Sequence, residues 1–205
     1  SRWVVAGLSA ADINRTTSKT FDGAGRVVRE IAHLIPGSVE TERIQITEYA
    51  YGVTLSSSPT EMSSLINDTM RLAEIRFPKD FAGTAVSSGS TSDLQYKVRF
   101  AYNQLGEVRG VQDQNQTIHA FTRDAAGRVL TDTATVASGS PIDDDIDRIG
   151  FAYSALGQLS TVTSYRVSGS TATAANQVQY LYNANQLLEN LVQDPDGAVT
   201  TSGSG

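Results

Sequence analysis

The chain of 205 residues contains no cysteine, two histidines and a single tryptophan. Without thiols, a disulfide framework, a thiolate metal site and redox chemistry at cysteine are all excluded. The two histidines, His33 and His119, are far apart in the sequence and form no pair at the spacing of a zinc site. We therefore expect no metal centre, no cofactor and no catalytic residues built on these side chains.

Positive charge is also scarce, because 16 Lys and Arg stand against 22 Asp and Glu, for a net charge of −6. Proteins that bind nucleic acid draw most of their affinity from clustered Lys and Arg, so we expect no nucleic-acid partner. No apolar run is long enough to span a bilayer, and we expect no membrane insertion. With 40% hydrophobic residues and ordinary numbers of Gly and Pro, 17 and 5, the composition is that of a folded domain.

What the sequence does contain is an internal repeat. Residues 100–108, FAYNQLGEV, recur as residues 151–159, FAYSALGQL, and weaker copies begin at Phe21, Phe121 and Tyr180. The copies share an aromatic residue, a short polar residue, two spacers, a glycine and then a valine or leucine. A unit repeated in this way indicates an architecture built from one supersecondary element many times over.

Each copy carries the signature of a tight turn. Asn, Asp or Ser opens the turn with its side chain, and a glycine three residues later takes the left-handed backbone conformation that closes a hairpin with a bulge. We align the last copy with one spacer missing, which places an asparagine, the tolerated substitute, where the glycine would be. The predicted structural turn residues are Gly25, Gly106, Gly127, Gly157 and Asn185.

The segments beside these turns alternate with the period of a β-strand. Tyr96, Val98, Phe100 and Tyr102 fall on one face, with mostly polar residues on the other. We expect an all-β fold of successive antiparallel hairpins that form a curved strip or open arc. The aromatic residues expected to pack between neighbouring strands are Phe100, Tyr102, Phe121, Phe151, Tyr153, Tyr180 and Tyr182.

The segment from Ser58 to Phe77 allows two interpretations. Ser58 and Glu61 can act as an N-cap and a capping-box residue around Pro59, which favours one short helix near 59–66. The alternative is a degenerate repeat whose second half is the alternating segment 71–77. Both interpretations remain open at this point.

The motif Tyr-Asn-x-x-Gly-x-Val, preceded by an alternating aromatic strand, resembles the Rhs or YD-repeat family. The resemblance covers roughly residues 17–197, with Asp or Asn directly after the aromatic residue at Phe21, Tyr102 and Tyr182. Ser154 departs from that pattern, and Arg123 stands where the aromatic residue is expected. The family implies a long β-strip that spirals into a hollow shell, which encloses toxin polypeptides in bacteria and forms part of the ectodomain of teneurin-like adhesion proteins.

This resemblance and the repeat together predict one domain over residues 1–201, a fragment of a larger protein, with residues 202–205 as an appended tail. One hairpin cannot bury its own apolar face, so each must pair edge to edge with the next. We therefore expect neighbouring repeats of the parent protein as partners, and self-association of exposed strand edges. The resemblance also implies a secreted or cell-surface location, although the chain carries no signal peptide of its own.

Candidate sites for chemistry are few. Asp143, Asp145 and Asp147 alternate and form a weak candidate cluster for calcium, but Arg148 stands where a calcium-binding loop needs glycine, so a solvated acidic linker is favoured. His119 is expected to be a structural, hydrogen-bonded residue on the inward face of its strand. The segment 194–197, DPDG, resembles part of the signature at which Rhs toxin shells cleave themselves, but an ordinary turn is favoured.

The leading hypothesis is a structural, non-enzymatic Rhs/YD-repeat segment of a large secreted or surface protein, which builds a β-shell around a cargo such as a toxin. The first alternative is a carbohydrate-binding or cell-surface-binding adhesion module, in which exposed aromatic rings stack on sugars. The second alternative is part of a self-cleaving toxin shell. In each case an enclosed polypeptide or a glycan is the expected partner outside the strip itself.

Overall fold

The structure, a computed structural model, describes residues 16–34, 43–79, 91–141 and 145–200. One short 3₁₀ turn, Thr91–Tyr96, precedes the fifth strand. The described residues contain twelve β-strands, which are β1 (Thr16–Phe21), β2 (Val27–Leu34), β3 (Arg43–Val53), β4 (Asp68–Arg76), β5 (Lys97–Tyr102), β6 (Val108–Gln112), β7 (Ile118–Arg123), β8 (Val129–Thr135), β9 (Arg148–Tyr153), β10 (Leu159–Ser168), β11 (Thr171–Tyr182) and β12 (Leu188–Asp194).

All twelve strands belong to one antiparallel sheet, and their order in the sheet is their order in the chain. Each strand pairs only with the strands before and after it, so β1 and β12 stand at opposite ends and the sheet does not close. The expectation of an all-β, open arc of successive hairpins is confirmed. Within the described residues, no helix is long and apolar enough to cross a membrane.

The predicted helix near 59–66 is wrong. The described residues there form only turns and bends, in which Ser63 N donates to the Thr60 carbonyl at 3.1 Å. The segment instead binds the neighbouring hairpin: Leu65 N donates to the Tyr102 carbonyl at 2.8 Å, and Arg109 donates to the carbonyls of Thr60 and Ser63. These contacts compete with a two-turn helix, which has little stability of its own. The alternative strand is present, because β4 covers most of 71–77.

The sheet has one apolar and one polar face. Residues paired across strands share a face, and the apolar face carries such pairs as Phe100 with Val111 and Phe151 with Val162. The polar face is rich in threonine, glutamine and small residues, and in its first half it carries alternating charges. Strand pairing places Glu48 beside Arg76, and the nearly buried Lys97 forms an ion pair with Glu74 at 3.3 Å.

Few side chains are fully buried. Among the described residues, the buried hydrophobic ones are Ile46, Ala101, Tyr102 and Ala175. This is the burial expected of a single layer of strands, in which stability is mostly a sum of interfaces between neighbours. Residues 1–15 and 201–205 lie outside the described residues, so the predicted domain bounds at 1–201 and the tail at 202–205 remain predictions.

Candidate functional site

Five hairpins close through the same five-residue turn, here described for residues 103–107. Asn103 N donates to the Glu107 carbonyl at 2.9 Å, and Gly106 N donates to the Asn103 carbonyl at 3.0 Å. The Asn103 side-chain oxygen accepts from Leu105 N and Glu107 N. This side chain therefore satisfies backbone donors that the tight reversal would leave unpaired.

The other copies of this turn are residues 22–26, 124–128, 154–158 and 183–187. Because the sheet is a meander, these turns and the loop 54–67 between β3 and β4 all lie along one side, which we call the turn edge. The predicted glycines have positive φ angles: 79° at Gly25, 77° at Gly106, 80° at Gly127 and 85° at Gly157.

The assignment of the left-handed position to Asn185 is wrong. The positive φ, 66°, belongs to Gln186, and Asn185 N donates to the Asn183 side-chain oxygen. The turn from Asn183 to Leu187 has its full five residues, so the sequence alignment was off by one. Glutamine tolerates this backbone region less well than glycine or asparagine, and no feature of the residue type indicated it.

A further turn of the same kind was missed. It spans residues 113–117 on the opposite side of the strip, with Gln116 at a φ of 68°. Thr117 N donates to the Asp113 side-chain oxygen at 2.8 Å. The turn lacks both the preceding aromatic residue and the glycine, so an aspartate followed four residues later by a threonine was the sole signal.

The tyrosines that end the first strand of a hairpin bind the hairpin before it. The hydroxyl of Tyr153 donates to the carbonyl of Val129 at 2.9 Å, and that of Tyr182 to the carbonyl of Leu159 at 2.9 Å. The Tyr102 hydroxyl donates in the same way to a carbonyl of β4. Among the described residues, the tyrosine hydroxyl bonds of this kind are Tyr51 to Val27 (3.1 Å), Tyr102 to Leu72 (2.7 Å), Tyr153 to Val129 and Tyr182 to Leu159.

Arg123, which departs from the aromatic pattern, makes the corresponding contact. Its guanidinium donates to the Val108 carbonyl at 3.2 Å and to the Gly127 carbonyl at 3.0 Å. All five junctions between the six consecutive hairpins are therefore bridged by a side chain at the turn edge. We call each of these side-chain to carbonyl bonds a rung.

The rungs have a physical cause in the strand pairing. Between β8 and β9 the last pair toward the turn edge is Thr131 with Gly150, two residues before Val129. The five acceptors all lie two residues beyond the last pair of their junction, since those pairs are Arg29 with Glu48, Glu74 with Arg99, Gly110 with Ala120, Thr131 with Gly150 and Thr161 with Gln179. Each rung thus supplies a donor to a carbonyl at which the backbone ladder has ended.

In four of the five turns, the fifth residue contacts the next hairpin as well. The Arg26 guanidinium lies 4.3 Å from the centre of the Tyr51 ring, and Arg128 lies 4.4 Å from the Tyr153 ring. At the irregular β3–β4 hairpin, Arg71 lies 5.6 Å from the Tyr102 ring. A cation over the ring that carries the rung therefore recurs at three junctions.

At the junction bridged by Arg123, a carboxylate beside a guanidinium takes the place of the cation over an aromatic ring. The preceding turn ends in Glu107, whose carboxylate lies 4.0 Å from the Arg123 guanidinium. At the last junction Gln158 donates to the Gln186 carbonyl at 3.0 Å. Glu107 therefore compensates the departure of Arg123 from the aromatic pattern, because a cation beside Arg123 would be repelled.

Two of these side chains, Arg71 and Glu107, also cover turn glycines. A Cβ at Gly106 would collide with the Arg71 guanidinium, and a Cβ at Gly127 would lie 2.5 Å from the Glu107 carboxylate. The positive φ is what requires glycine at both positions, and a larger residue would in addition displace these side chains.

Two carboxylates at the turn edge have lowered pKa values. The pKa of Asp22 lies below its usual range because the backbone and then the side chain of Arg26 donate hydrogen bonds to it. The pKa of Asp124 is lowered chiefly by the Arg128 guanidinium and then by the Arg128 backbone. Burial raises the pKa of the Tyr102 hydroxyl.

The remaining predicted aromatic residues lie on the apolar face between neighbouring strands. Phe100 is opposite Val111 and Tyr180 is opposite Leu191. Phe121 stacks on His119, whose Nδ1 lies 2.9 Å from the Asp132 carboxylate. Phe151 is opposite Val162 on the same face, and Tyr102, Tyr153 and Tyr182 carry rungs.

The acidic cluster is only partly described, because Asp143 lies outside the described residues. Asp147 accepts from Val167 N at 2.7 Å, which ties the β8–β9 loop to β10. Asp145 is exposed and also has an interaction partner. Across the residues that the structure describes, no group of three or more His, Asp or Glu could hold a metal ion.

One groove of about 290 Å³ lies on the polar face over β8 to β10. The Tyr165 ring covers Gly150 in this groove so closely that a Cβ there would lie 2.8 Å from the ring. Thr131, Thr161 and Arg148 also line the groove. At the end of β12, Asp196 N donates to the Asp194 carboxylate at 3.0 Å, the bond of a local turn.

Comparison with known proteins finds no family and no curated protein that matches this chain. Three solved structures align over 89% of it: a TcdB2–TccC3–Cdc42 complex (12% identity, TM-score 0.32), TcdB2–TccC3 (13%, 0.32) and a Tc holotoxin pore of Photorhabdus luminescens (14%, 0.31). The chain spans only 10%, 12% and 10% of the length of those chains.

Proposed function

We propose that the chain is a structural, non-enzymatic segment of an Rhs/YD-type wall, built to be extended hairpin by hairpin in a large secreted or surface protein. The observation that carries this proposal is the rung at every junction between successive hairpins, from Tyr51 to Tyr182. These polar side chains are used for joining one hairpin to the next. Their acceptors are main-chain carbonyls, so the bond does not depend on the neighbour's side chain.

The energetics favour a wall over a self-contained domain. A single hairpin is marginal in water, and each net hydrogen bond contributes about 1 kcal/mol, so stability must accumulate along the strip. The open sheet leaves exposed leucines on β12 and an exposed phenylalanine on β1. Such edges favour further strands as partners. In this proposal the wall encloses a polypeptide such as a toxin, and the segment itself takes no cofactor.

The test is electron microscopy and limited proteolysis of the longer protein that contains this segment. We expect the strip to continue through this segment into a closed wall, with an enclosed polypeptide that resists protease until the wall is opened. A segment that stands apart as a separate domain, with no enclosed chain, would contradict the proposal. A matched variant with Tyr153→Phe and Tyr182→Phe should release the protected polypeptide at lower urea concentration.

A second candidate function is the binding of a sugar on the polar face. The groove over β8 to β10 favours it, because it combines a tyrosine ring, threonine hydroxyls and the guanidinium of Arg148. Chemical-shift titration with methyl glucuronide and methyl glucoside tests it. Saturable shifts at Gly150 that Arg148→Gln weakens and the exposed control Arg166→Gln does not would support it; no shift with either sugar would exclude it.

A further inference from the structure

The last strand, β12, presents one half of the junction that recurs between the hairpins. Its turn ends in Leu187 and its first residue is Leu188, the position held by Val27, Val108, Val129 and Leu159 in the other second strands. Leu187, Leu188 and Leu191 are 64%, 53% and 55% exposed. No strand of the described chain pairs with the outer side of β12.

The geometry of the five existing junctions defines what would complete this one. The acceptor is two residues outside the last ladder pair, so a carbonyl at Leu188 implies a ladder that begins at Asn190 and runs to Asp194. The side chain that reaches this carbonyl lies at the end of an antiparallel strand, directly before its turn. At the existing junctions that side chain is a tyrosine or an arginine.

The fifth turn residue determines which of the two fits. Where it is Arg26 or Arg128 the rung is a tyrosine, and where it is Glu107 the rung is Arg123. Leu187 is uncharged and apolar. Its side chain can pack against an aromatic ring. It supplies no negative charge for a guanidinium, which would lose hydration at this site without gaining an ion pair.

We propose that β12 is a docking edge for an antiparallel β-strand that ends in a tyrosine before an Asx-type turn, with the tyrosine hydroxyl on the Leu188 carbonyl and its ring against Leu187. This inference rests on the proposed wall function and specifies its partner. The occupant is selected by residue type, so a strand that ends in arginine is rejected at this edge.

The test uses a hairpin from the chain itself as the probe. A peptide of residues 147–168, joined head to tail through a short glycine linker, carries β9, its turn and β10. Cross-strand contacts between Phe151 and Val162, seen by NMR, establish that the peptide is folded before use. Fluorescence anisotropy of the labelled peptide then measures its affinity for the complete 205-residue chain.

We expect binding that weakens about 5-fold when the peptide carries Tyr153→Phe, the loss of one hydrogen bond. In the chain, Leu191→Lys should weaken binding at least 10-fold, because it places a charge on the docking edge. The matched control is Phe21→Lys on β1, at the opposite end, where Phe21 is 56% exposed; it should leave binding unchanged.

Leu187→Glu tests most directly whether the fifth turn residue sets the preference for tyrosine over arginine. It should reverse the preference, so that a peptide with Tyr153→Arg binds more tightly than the tyrosine peptide, as at the Glu107 and Arg123 junction. No binding of the folded peptide, binding sensitive to Phe21→Lys, or an unchanged ranking after Leu187→Glu would each overturn the proposal. The proposed wall function is tested separately, by microscopy of the longer protein.

Discussion

The two sides of the strip are built differently. On the turn edge, five of the six hairpins close through the same five-residue turn, and a rung joins successive hairpins at every junction. On the opposite side, the connections include a two-residue turn at Gly169 and a longer one between β8 and β9, and the described residues there show no such recurring series of contacts. The comparison indicates that the turn edge fixes how hairpins adjoin, while the opposite side tolerates variation.

The largest expected effect on stability comes from replacing a turn glycine that a neighbouring side chain covers, compared with one that no side chain covers. Gly106 and Gly139 have φ angles of 77° and 80°, but only Gly106 is covered by a side chain of the preceding hairpin. We expect Gly106→Val to reduce the free energy of unfolding by about 3 kcal/mol and Gly139→Val by about 1 kcal/mol, measured by urea denaturation. Equal losses would mean that the covering arginine contributes nothing.

The next effect isolates a rung hydroxyl. Tyr102→Phe removes the donor to the Leu72 carbonyl and should cost about 1 to 2 kcal/mol, because that carbonyl lies where the ladder has ended. Tyr180→Phe is the matched control, since the Tyr180 ring packs on the apolar face as part of the pair with Leu191. Its loss should stay below about 0.5 kcal/mol; similar losses in both variants would argue against the rung.

A smaller effect on stability tests whether Glu107 and Arg123 depend on each other in the way that Arg128 and Tyr153 do. Glu107→Arg should destabilise the chain by about 1 kcal/mol, because it places two guanidinium groups together. Adding Arg123→Tyr should recover most of the loss, because the junction then copies Arg128 over Tyr153. Urea denaturation of the two single variants and the double variant gives the coupling. Additive losses would show that the two positions are independent.

The smallest effect is in the acid range. The pKa of Asp124 is lowered in the folded chain, so the folded state binds a proton less readily than the unfolded state. This contribution to stability is therefore complete above the ordinary value of 3.8 and is lost as the pH falls through the lower folded pKa. The urea midpoint should fall less between pH 5 and pH 2.5 in Asp124→Asn than in the native chain.

Arg128→Gln serves as the second arm of that experiment. It keeps the carboxylate of Asp124 and removes the guanidinium that donates to it at 2.7 Å. It should flatten the same part of the pH profile. A profile identical to that of the native chain in both variants would contradict the assigned cause.

The turns and the hairpin order followed from the sequence because both are local: an Asx residue and a glycine three positions later fix a reversal, and alternation fixes a strand. The rungs did not follow, because their acceptors depend on where each backbone ladder ends. Arg123 shows this most clearly, since it breaks the aromatic pattern but makes the same bond as Tyr153. Gln116 and Gln186 were missed because the surrounding hairpin, rather than their own preference, imposes a positive φ.

Of the two interpretations of residues 58–77, the helix near 59–66 failed for a related reason. The capping residues favoured a helix, but contacts to Tyr102 and Arg109 on the neighbouring hairpin hold the segment as an irregular loop. Local preference is a weak guide where tertiary hydrogen bonds are available.

Amide hydrogen exchange tests most directly whether rungs hold the turn edge together. In a variant with Tyr51→Phe, Tyr153→Phe and Tyr182→Phe, the turn amides of Gly25, Gly127 and Gly157 should lose protection at least 10-fold. The amides of Gln116 and Thr117, in the matching turn on the opposite side, should keep theirs. Equal loss on both sides, or none on either, would contradict the account.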